Sequence, residues 1–216
     1  MAGVKQFDKG EVLERAMILF WRRGYEATSI HDLIQATGIN RGSLYSTFGD
    51  KRGLFLAVLD HYATRFGKEL MSDLNDPDPV RGTQRMFASI ITRTSDPGWP
   101  RGCLNTNTSL ECPDVGDEIS RKIAERFGQQ ESAIYQALRR AQLAGRVDRD
   151  RDIRALARFF TAVAQALNVV NKIVPDPAIL KDIAKVALSV IERGNHRTKP
   201  LRPKRSGHST KTDSAR

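Results

Sequence analysis

The sequence predicts an all-α fold, and three of its features support this prediction. Apolar residues recur at helical spacing through most of the 216 residues. Serine, asparagine and aspartate residues precede several of these stretches, where their side chains can cap helix N-termini, and glycines or prolines follow them. No stretch shows the apolar–polar alternation of a half-buried strand. We therefore expect a helical bundle without a β-sheet.

The first predicted helix begins after Asp8 and ends at Gly24. Asp8 and Glu11 have the spacing of a capping box. The apolar face of this helix consists of Val12, Ala16, Leu19 and Phe20. We expect it to pack across the two helices that follow and to stabilise them as a three-helix unit.

Residues 29–48 have the layout of a helix-turn-helix. Thr28 or Ser29 can cap the first of its helices, and Asn40 can cap the second. Gly38 lies between them, where a helix ends with a positive φ that glycine adopts at little cost. The residues expected to face inward are Ile30, Leu33, Ile34 and Ile39. The second helix then presents small and polar side chains, as does a helix that enters the major groove of DNA.

The pattern from Asp8 to Phe55 resembles the N-terminal domain of TetR-family transcriptional regulators. The residues that carry the resemblance are Ala16, Phe20, Gly24, Tyr25, Thr28, Ile30, Ile34, Ala36, Gly38, Ser43, Leu44, Tyr45, Phe48, Lys51 and Leu54. The resemblance covers the first part of the chain strongly and the remainder only by architecture. It implies a three-helix helix-turn-helix DNA-binding domain followed by an α-helical ligand-binding and dimerisation domain.

The remainder of the chain predicts further helices. Asp50 can cap a fourth helix, and the sequence Asp76-Pro77-Asp78-Pro79 marks a boundary because a residue before proline avoids the α conformation. Helices are expected at about Val80–Thr94, Cys103–Leu110, Asp117–Ala144, Ile153–Ile173 and Pro177–Glu192. We assign residues 8–68 to the DNA-binding domain, 75–194 to the regulatory and dimerisation domain, and 195–216 to a disordered basic tail.

The candidate DNA contacts are Arg41, Gly42, Ser43, Tyr45 and Ser46 on the second helix of the motif, with Thr28, Ser29 and Lys51 as phosphate contacts. Arg41 can reach guanine edges or a phosphate, and Tyr45 offers a hydroxyl to a phosphate and a ring to a thymine methyl. Lys51 stands near free N–H groups at a helix start, which favour an anion. The alternative is a plain solvated helix surface.

Cys103, within the stretch Arg101–Asn107, is the candidate sensor of the regulatory domain. Its Gly-Cys-Leu…Asn element resembles a subgroup of TetR regulators, some of which sense electrophiles or oxidants through a cysteine at this place. A thiol at a helix N-terminus with Arg101 nearby would have a depressed pKa. We favour the simpler alternative, in which Cys103 is a small buried residue that fits the packing.

The last two helices carry apolar residues on more than one face, and such helices must be buried on several sides. The candidates for a homodimer interface are Phe159, Val163, Leu167, Val170, Ile183, Val186 and Val190. A two-fold four-helix bundle is the simplest way to cover them, and it is how the resembled family dimerises.

The composition excludes several other classes of protein. The net charge of +10 suits a polyanionic partner, although seven of the basic residues lie in the tail. No apolar run approaches the roughly 20 residues of a membrane span, and the N-terminus has no signal-peptide core, so we expect a cytoplasmic protein without a membrane partner. Two cysteines make no disulfide framework, and the four histidines have no metal-ligand spacing. We expect neither a cofactor or metal nor enzymatic activity.

The sequence therefore favours a transcriptional regulator that binds double-stranded DNA. We expect a repressor that recognises a pseudo-palindromic operator as a homodimer and is released by a small-molecule inducer, as yet unknown, or by cysteine modification. The alternatives are a nonspecific architectural DNA-binding protein and an all-α small-molecule-binding protein.

Overall fold

The computed structural model describes residues 7–111 and 117–191. These residues form nine α-helices and no β-strand, which confirms the all-α prediction. The helices are α1 (Lys9–Arg23), α2 (Ile30–Thr37), α3 (Arg41–Phe48), α4 (Lys51–Leu74), α5 (Pro79–Ser95), α6 (Leu104–Glu111), α7 (Glu118–Leu143), α8 (Ile153–Ile173) and α9 (Pro177–Ser189). The predicted basic tail, 195–216, lies outside the described residues.

The helix ends follow the predicted capping residues. The Asp8 carboxylate accepts hydrogen bonds from the backbone N–H of Gly10 at 2.7 Å and of Glu11 at 3.2 Å. The Glu11 carboxylate pairs with Arg15 instead of closing a capping box. Gly38 ends α2 with φ of 72°, in the left-handed region that the turn requires.

The helix-turn-helix is held by its apolar inner side. Leu33 of α2 and Leu44 of α3 are fully buried, and Ile39 in the turn is 6% exposed. The Asn40 side chain accepts from the backbone N–H of Ser43 at 2.8 Å and so caps α3. These contacts fix the angle between the two short helices, while α1 packs across both the motif and α4.

The corner between α3 and α4 depends on Gly53. A Cβ at Gly53 would lie 2.0 Å from the carbonyl oxygen of Phe48, which is far inside van der Waals contact. The Asp50 side chain accepts from the Gly53 N–H at 2.7 Å, as predicted for the cap of α4. Because glycine at position 53 has no Cβ, the first turn of α4 can pack closely against the last residue of α3.

Two apolar clusters form the core. The first joins the inner sides of α1 to α4 and also includes Cys103 and Leu104, at the start of α6, and Ile119 and Ile123 of α7. The second joins α5, α7, α8 and α9, with the rings of Phe87 and Phe160 in edge-to-face contact 5.6 Å apart. Helix α4 runs unbroken through residues 68–74, so the domain limits proposed above stay predictions.

Acidic side chains organise the turn from α4 to α5. Asp76 is buried, and its carboxylate accepts hydrogen bonds from the guanidinium of Arg81, at 2.7 Å, and of Arg85, at 3.2 Å. The Arg81 hydrogen bond, followed by the backbone N–H of Asp78, lowers the pKa of Asp76 to about 2. The Asp76 carboxylate therefore stays ionised although its side chain is buried.

Helix α8 corrects the prediction that no run is long enough to span a membrane. By length and composition, Ile153–Ile173 could cross one. A single such helix is weak evidence, because core helices of globular proteins have the same composition. One side of α8 is packed in the second cluster through Ala157, Phe160, Ala164 and Leu167.

Candidate DNA-binding interface and regulatory cavity

Helix α3 presents a polar surface opposite its buried leucine. Arg41, Gly42, Tyr45 and Ser46 are exposed, and Ser43 is half-buried. The Arg41 guanidinium carbon lies 5.6 Å from the centre of the Tyr45 ring, so the two long side chains are neighbours on this surface. The Ser46 hydroxyl donates to the backbone carbonyl of Ser43 at 3.2 Å. All five residues predicted on this helix therefore lie on one accessible side or at its edge.

Thr47 is also exposed at the end of α3 and was not among the predicted residues. It follows Ser43 by four positions, which places both residues on the same side of a helix. This spacing can be read from the sequence and could have identified Thr47 as a further exposed residue of α3.

The structure corrects the prediction for Thr28. The residue is fully buried, and its hydroxyl donates to the carbonyl oxygen of Gly24 at 2.6 Å. This bond stabilises the turn between α1 and α2, and the side chain is not available to a phosphate. The resemblance to the family pointed to Thr28, but the role of this residue is to hold the turn within the fold.

Ser29 is exposed and caps α2. Its hydroxyl accepts from the Asp32 N–H at 3.1 Å, and its backbone N–H donates to the Asp32 carboxylate at 2.9 Å, which completes a capping box. The hydroxyl also donates to that carboxylate at 2.6 Å. The hydroxyl and backbone N–H of Ser29, with the Arg23 guanidinium, lower the pKa of Asp32 to about 2. A phosphate contact by Ser29 stays a prediction.

Lys51 lies at the first position of α4. Its Nζ donates to the backbone carbonyl of Glu26 at 3.3 Å and lies 4.4 Å from the centre of the Tyr25 ring. These contacts hold the ammonium group against the turn between α1 and α2. Its predicted contact with a phosphate likewise stays a prediction.

A cavity of about 550 Å³ lies in the helical body. Its walls come mainly from α4, α5, α7 and α8, together with the segment at the start of α6. The residues that give it its character are the aromatic Tyr62, Phe66 and Phe127 and the polar Arg93, Asn105 and Asn168. This volume lies within the range of about 300–1,000 Å³ that is usual for small-molecule sites.

Cys103 is at the edge of this cavity and immediately precedes α6. It is 7% exposed, and its Sγ accepts a hydrogen bond from the Tyr62 hydroxyl at 3.2 Å. Burial raises the pKa of Tyr62, so its hydroxyl stays protonated and able to donate. Arg93 lines the same cavity, whereas Arg101 is exposed. A sensing role of Cys103 stays a prediction.

The outer side of α8 and α9 carries exposed apolar residues. Phe159 is 42% exposed and Val186 is 69% exposed, while Val163, Val170, Ile183 and Val190 are half-buried. Leu167 corrects the prediction, because it is fully buried in the chain's own second cluster and cannot contact a partner. Exposed neighbours that were not predicted are Ala162, Ala166, Ile173, Val174 and Ile179. The spacing of Ala162, Ala166 and Ile173 from Phe159 continues one helical stripe and could have identified them.

No group of three or more His, Cys, Asp or Glu residues able to hold a metal occurs in residues 7–111 and 117–191.

The architecture is that of a DNA-binding regulator with a helix-turn-helix unit and a helical body. Residues 12–58 match the family described as "Bacterial regulatory proteins, tetR family". Residues 80–187 match the domain described as "Tetracyclin repressor-like, C-terminal domain". The chain belongs to this family of transcriptional regulators, which confirms the class predicted from the sequence. Such regulators are soluble and are generally not enzymes.

Two curated relatives match most of the chain. It is 35% identical to the uncharacterised HTH-type transcriptional regulator YezE of Bacillus subtilis (strain 168), over 87% of this chain and 98% of the relative. It is 36% identical to the HTH-type transcriptional repressor ComR of Escherichia coli (strain K12), over 76% of this chain and 80% of the relative.

Solved structures support the same fold. A cysteine mutant of the TetR family transcriptional regulator CifR, complexed with 26-base-pair double-strand operator DNA, superposes with a TM-score of 0.80 at 30% identity. The alignment covers 86% of this chain and 97% of that chain. The reduced form of E. coli NemR, at 18% identity and a TM-score of 0.75, shows the likeness of fold alone.

Proposed function

We propose that this chain is a homodimeric repressor that binds a pseudo-palindromic DNA operator through α3 and leaves it when the body is modified or binds a small molecule. The observation that carries the proposal is the exposed polar surface of α3, anchored from behind by the buried Leu44. Arg41 and Tyr45 supply the charge and hydrogen-bonding groups that contact phosphates and base edges. The CifR and ComR names, which mention operator DNA and repression, support this role.

A dimer explains the exposed apolar stripe of α8 and α9. Phe159, Ile173 and Val186 would lose contact with water if the same side of a second copy packed against them. One short recognition helix reads few base pairs, so two copies also supply the specificity that a genomic site demands.

Regulation requires a link between the cavity and the DNA-binding unit, and α6 provides one. Its start borders the cavity at Cys103, and its last residue, Glu111, accepts a hydrogen bond from the backbone N–H of Tyr25 at 2.9 Å. Tyr25 lies in the turn that precedes α2. We infer that a change at the cavity wall shifts α6 and thereby the position of the DNA-binding unit. A reversible ligand and a modified Cys103 could both act on this element. The protein acts in the cytoplasm, where its DNA target lies.

A reporter assay tests this proposal. The DNA upstream of the protein's own gene is placed before a reporter, and the full chain is expressed with it. Repression predicts a lower reporter signal than in cells without the protein, and Arg41→Ala should restore the signal. A rise in the signal with the wild-type chain would identify an activator instead.

A further inference from the structure

Arg93 is a half-buried cation on the cavity wall. It lies in the last turn of α5, lines the cavity, and stacks with its guanidinium carbon 5.5 Å from the centre of the Phe66 ring. Its Nε atom is inaccessible to solvent and has no hydrogen-bond partner. Within residues 7–111 and 117–191, no carboxylate lies at ion-pair distance from Arg93, and Glu69 acts on its charge only through space.

Arg126, the other arginine on the cavity wall, also has a buried Nε without a hydrogen-bond partner, but it differs from Arg93 in forming an ion pair. Arg126 donates to the Asp60 carboxylate at 2.6 Å, and its charge is therefore compensated within the chain. A guanidinium is charged at every physiological pH, and removing part of such a group from water without an ion-pair partner costs free energy. Arg93 thus carries a charge that a bound anion could neutralise.

The same cavity also contains unpaired acceptors. Asn168 is 3% exposed, and its Oδ1 has no hydrogen-bond partner although its amide donates to the Ala164 carbonyl at 2.8 Å. The Oδ1 of Asn105 is likewise buried and unpaired. By contrast, Gln165 is satisfied, because it accepts from Thr106 at 2.6 Å and donates to Gln130 at 2.9 Å. Unpaired polar atoms on a cavity wall indicate positions at which a ligand supplies the missing hydrogen-bond partner.

We propose that the cavity binds a small organic acid. Its carboxylate pairs with Arg93, and its apolar body lies against Tyr62, Phe66 and Phe127. A hydroxyl or amide N–H on the ligand donates a hydrogen bond to the unpaired Oδ1 of Asn168 or Asn105. A guanidinium forms two parallel hydrogen bonds with a planar carboxylate, which selects acids over neutral molecules of the same shape. The proposal deepens the regulatory function assigned above and rests on it for its biological meaning, while the binding itself can be measured independently.

Binding of acids and of their neutral analogues to the full chain tests the proposal. The probes are hexanoate, octanoate, phenylbutyrate and naphthaleneacetate, each with its primary amide, measured by calorimetry and by thermal shift. We expect at least one acid to bind about 10- to 100-fold more tightly than its amide, as is usual for hydrogen bonds to a charged group. Arg93→Met should remove this difference, and Arg93→Lys should restore part of it.

Arg139→Met is the matched control, because Arg139 is an exposed arginine of α7 outside the cavity. Thermal unfolding of each variant without probe shows that it is folded, and the Arg93→Lys result decides the question if Arg93→Met does not fold. Equal affinity for acids and amides, undiminished acid binding by Arg93→Met, or binding of none of the acids would overturn the proposal. An acid that binds through Arg93 without releasing DNA would contradict the regulatory function alone.

Discussion

At the scale of the residue, neighbouring positions of α3 have opposite roles. Leu44 is fully buried and fixes the helix in the motif, while Tyr45, the next residue, is 38% exposed on the side predicted to face DNA. The alternation follows from the helical period, and the sequence was sufficient to predict it. The prediction for Thr28 was wrong because a hydroxyl beside a helix start can bond either outward or back to its own chain, and only the structure shows the bond to Gly24.

Two substitutions test the DNA-binding surface. Arg41→Ala and Tyr45→Ala should each weaken operator binding by at least about tenfold, because a base-directed contact contributes about 1–3 kcal/mol. Fluorescence anisotropy with labelled operator DNA measures the change. Arg139→Ala removes an equal charge from an exposed site on α7 and should leave the affinity nearly unchanged. Wild-type affinity in both α3 variants would remove the assignment of α3 as the recognition helix.

Gly53 gives a prediction about stability. Gly53→Ala should lower the free energy of unfolding by about 1–3 kcal/mol, because the added Cβ would meet the Phe48 carbonyl and the corner must shift. Gly128→Ala is the control, since Gly128 is exposed within α7 and a Cβ there meets nothing within 4 Å. That change should raise stability by about 0.5–1 kcal/mol, as for alanine over glycine in a helix. Chemical denaturation measures both, and equal effects of the two substitutions would disprove the role of Gly53.

At the scale of the element, helix limits were predictable because capping residues and prolines mark them. Helix α8 was predicted as Ile153–Ile173 and is observed over the same residues, and Asp50 caps α4 as expected. The contacts between elements were not predictable. The link from Glu111 to Tyr25 joins residues 86 positions apart, and no local pattern in the sequence records such a pairing.

Glu111→Ala tests this link. The substitution removes the acceptor of the Tyr25 N–H, so hydrogen exchange at that amide should accelerate while the global stability changes little. Exchange measured by NMR or mass spectrometry reports the result. Glu125→Ala, at an exposed position of α7, should leave the Tyr25 amide protected. If protection persists in Glu111→Ala, α6 does not hold the turn before α2.

The turn between α4 and α5 predicts a dependence of stability on pH. The folded-state pKa of Asp76, about 2, is below its ordinary value of 3.8, so its contribution is present above about pH 4 and is lost as the pH falls towards 2. Asp76→Asn should lower the free energy of unfolding at pH 7 and flatten its decline between pH 4 and pH 2. Denaturation at a series of pH values measures this. Asp150→Asn, in an exposed loop, should reproduce the wild-type curve, and an unchanged curve for Asp76→Asn would refute the account.

At the scale of the whole molecule, the sequence predicted two parts and a self-associating surface but could not separate core from interface. Leu167 and Val186 are both apolar positions in C-terminal helices, yet one is fully buried and the other is 69% exposed. The difference arises from how α8 and α9 pack on α5 and α7, which periodicity alone does not specify. The cavity could not be predicted from the sequence either, because Arg93, Cys103 and Asn168 come together only when the helices pack.

Val186→Glu tests the dimer. A charge at this exposed position should leave the fold intact but oppose burial against a second copy, so the variant should be monomeric. We expect operator binding at least about 100-fold weaker, because the second half-site no longer adds to the first. Light scattering at micromolar concentration gives the mass. Lys185→Glu places the same side chain at the adjacent exposed position of α9 and should remain dimeric. A monomeric wild-type chain would contradict the proposed interface.

The proposed function requires that two copies of α3 read one DNA site together. Footprinting of the full chain on the DNA upstream of its own gene tests this requirement. We expect one protected segment that contains two inverted half-sites, with their centres about one helical turn of DNA apart or a multiple of it. Protection should vanish for Tyr45→Ala at the same protein concentration. Protection that is spread evenly over the fragment, independent of sequence and lost steeply with added salt, would show nonspecific binding and rule out a dimeric operator complex.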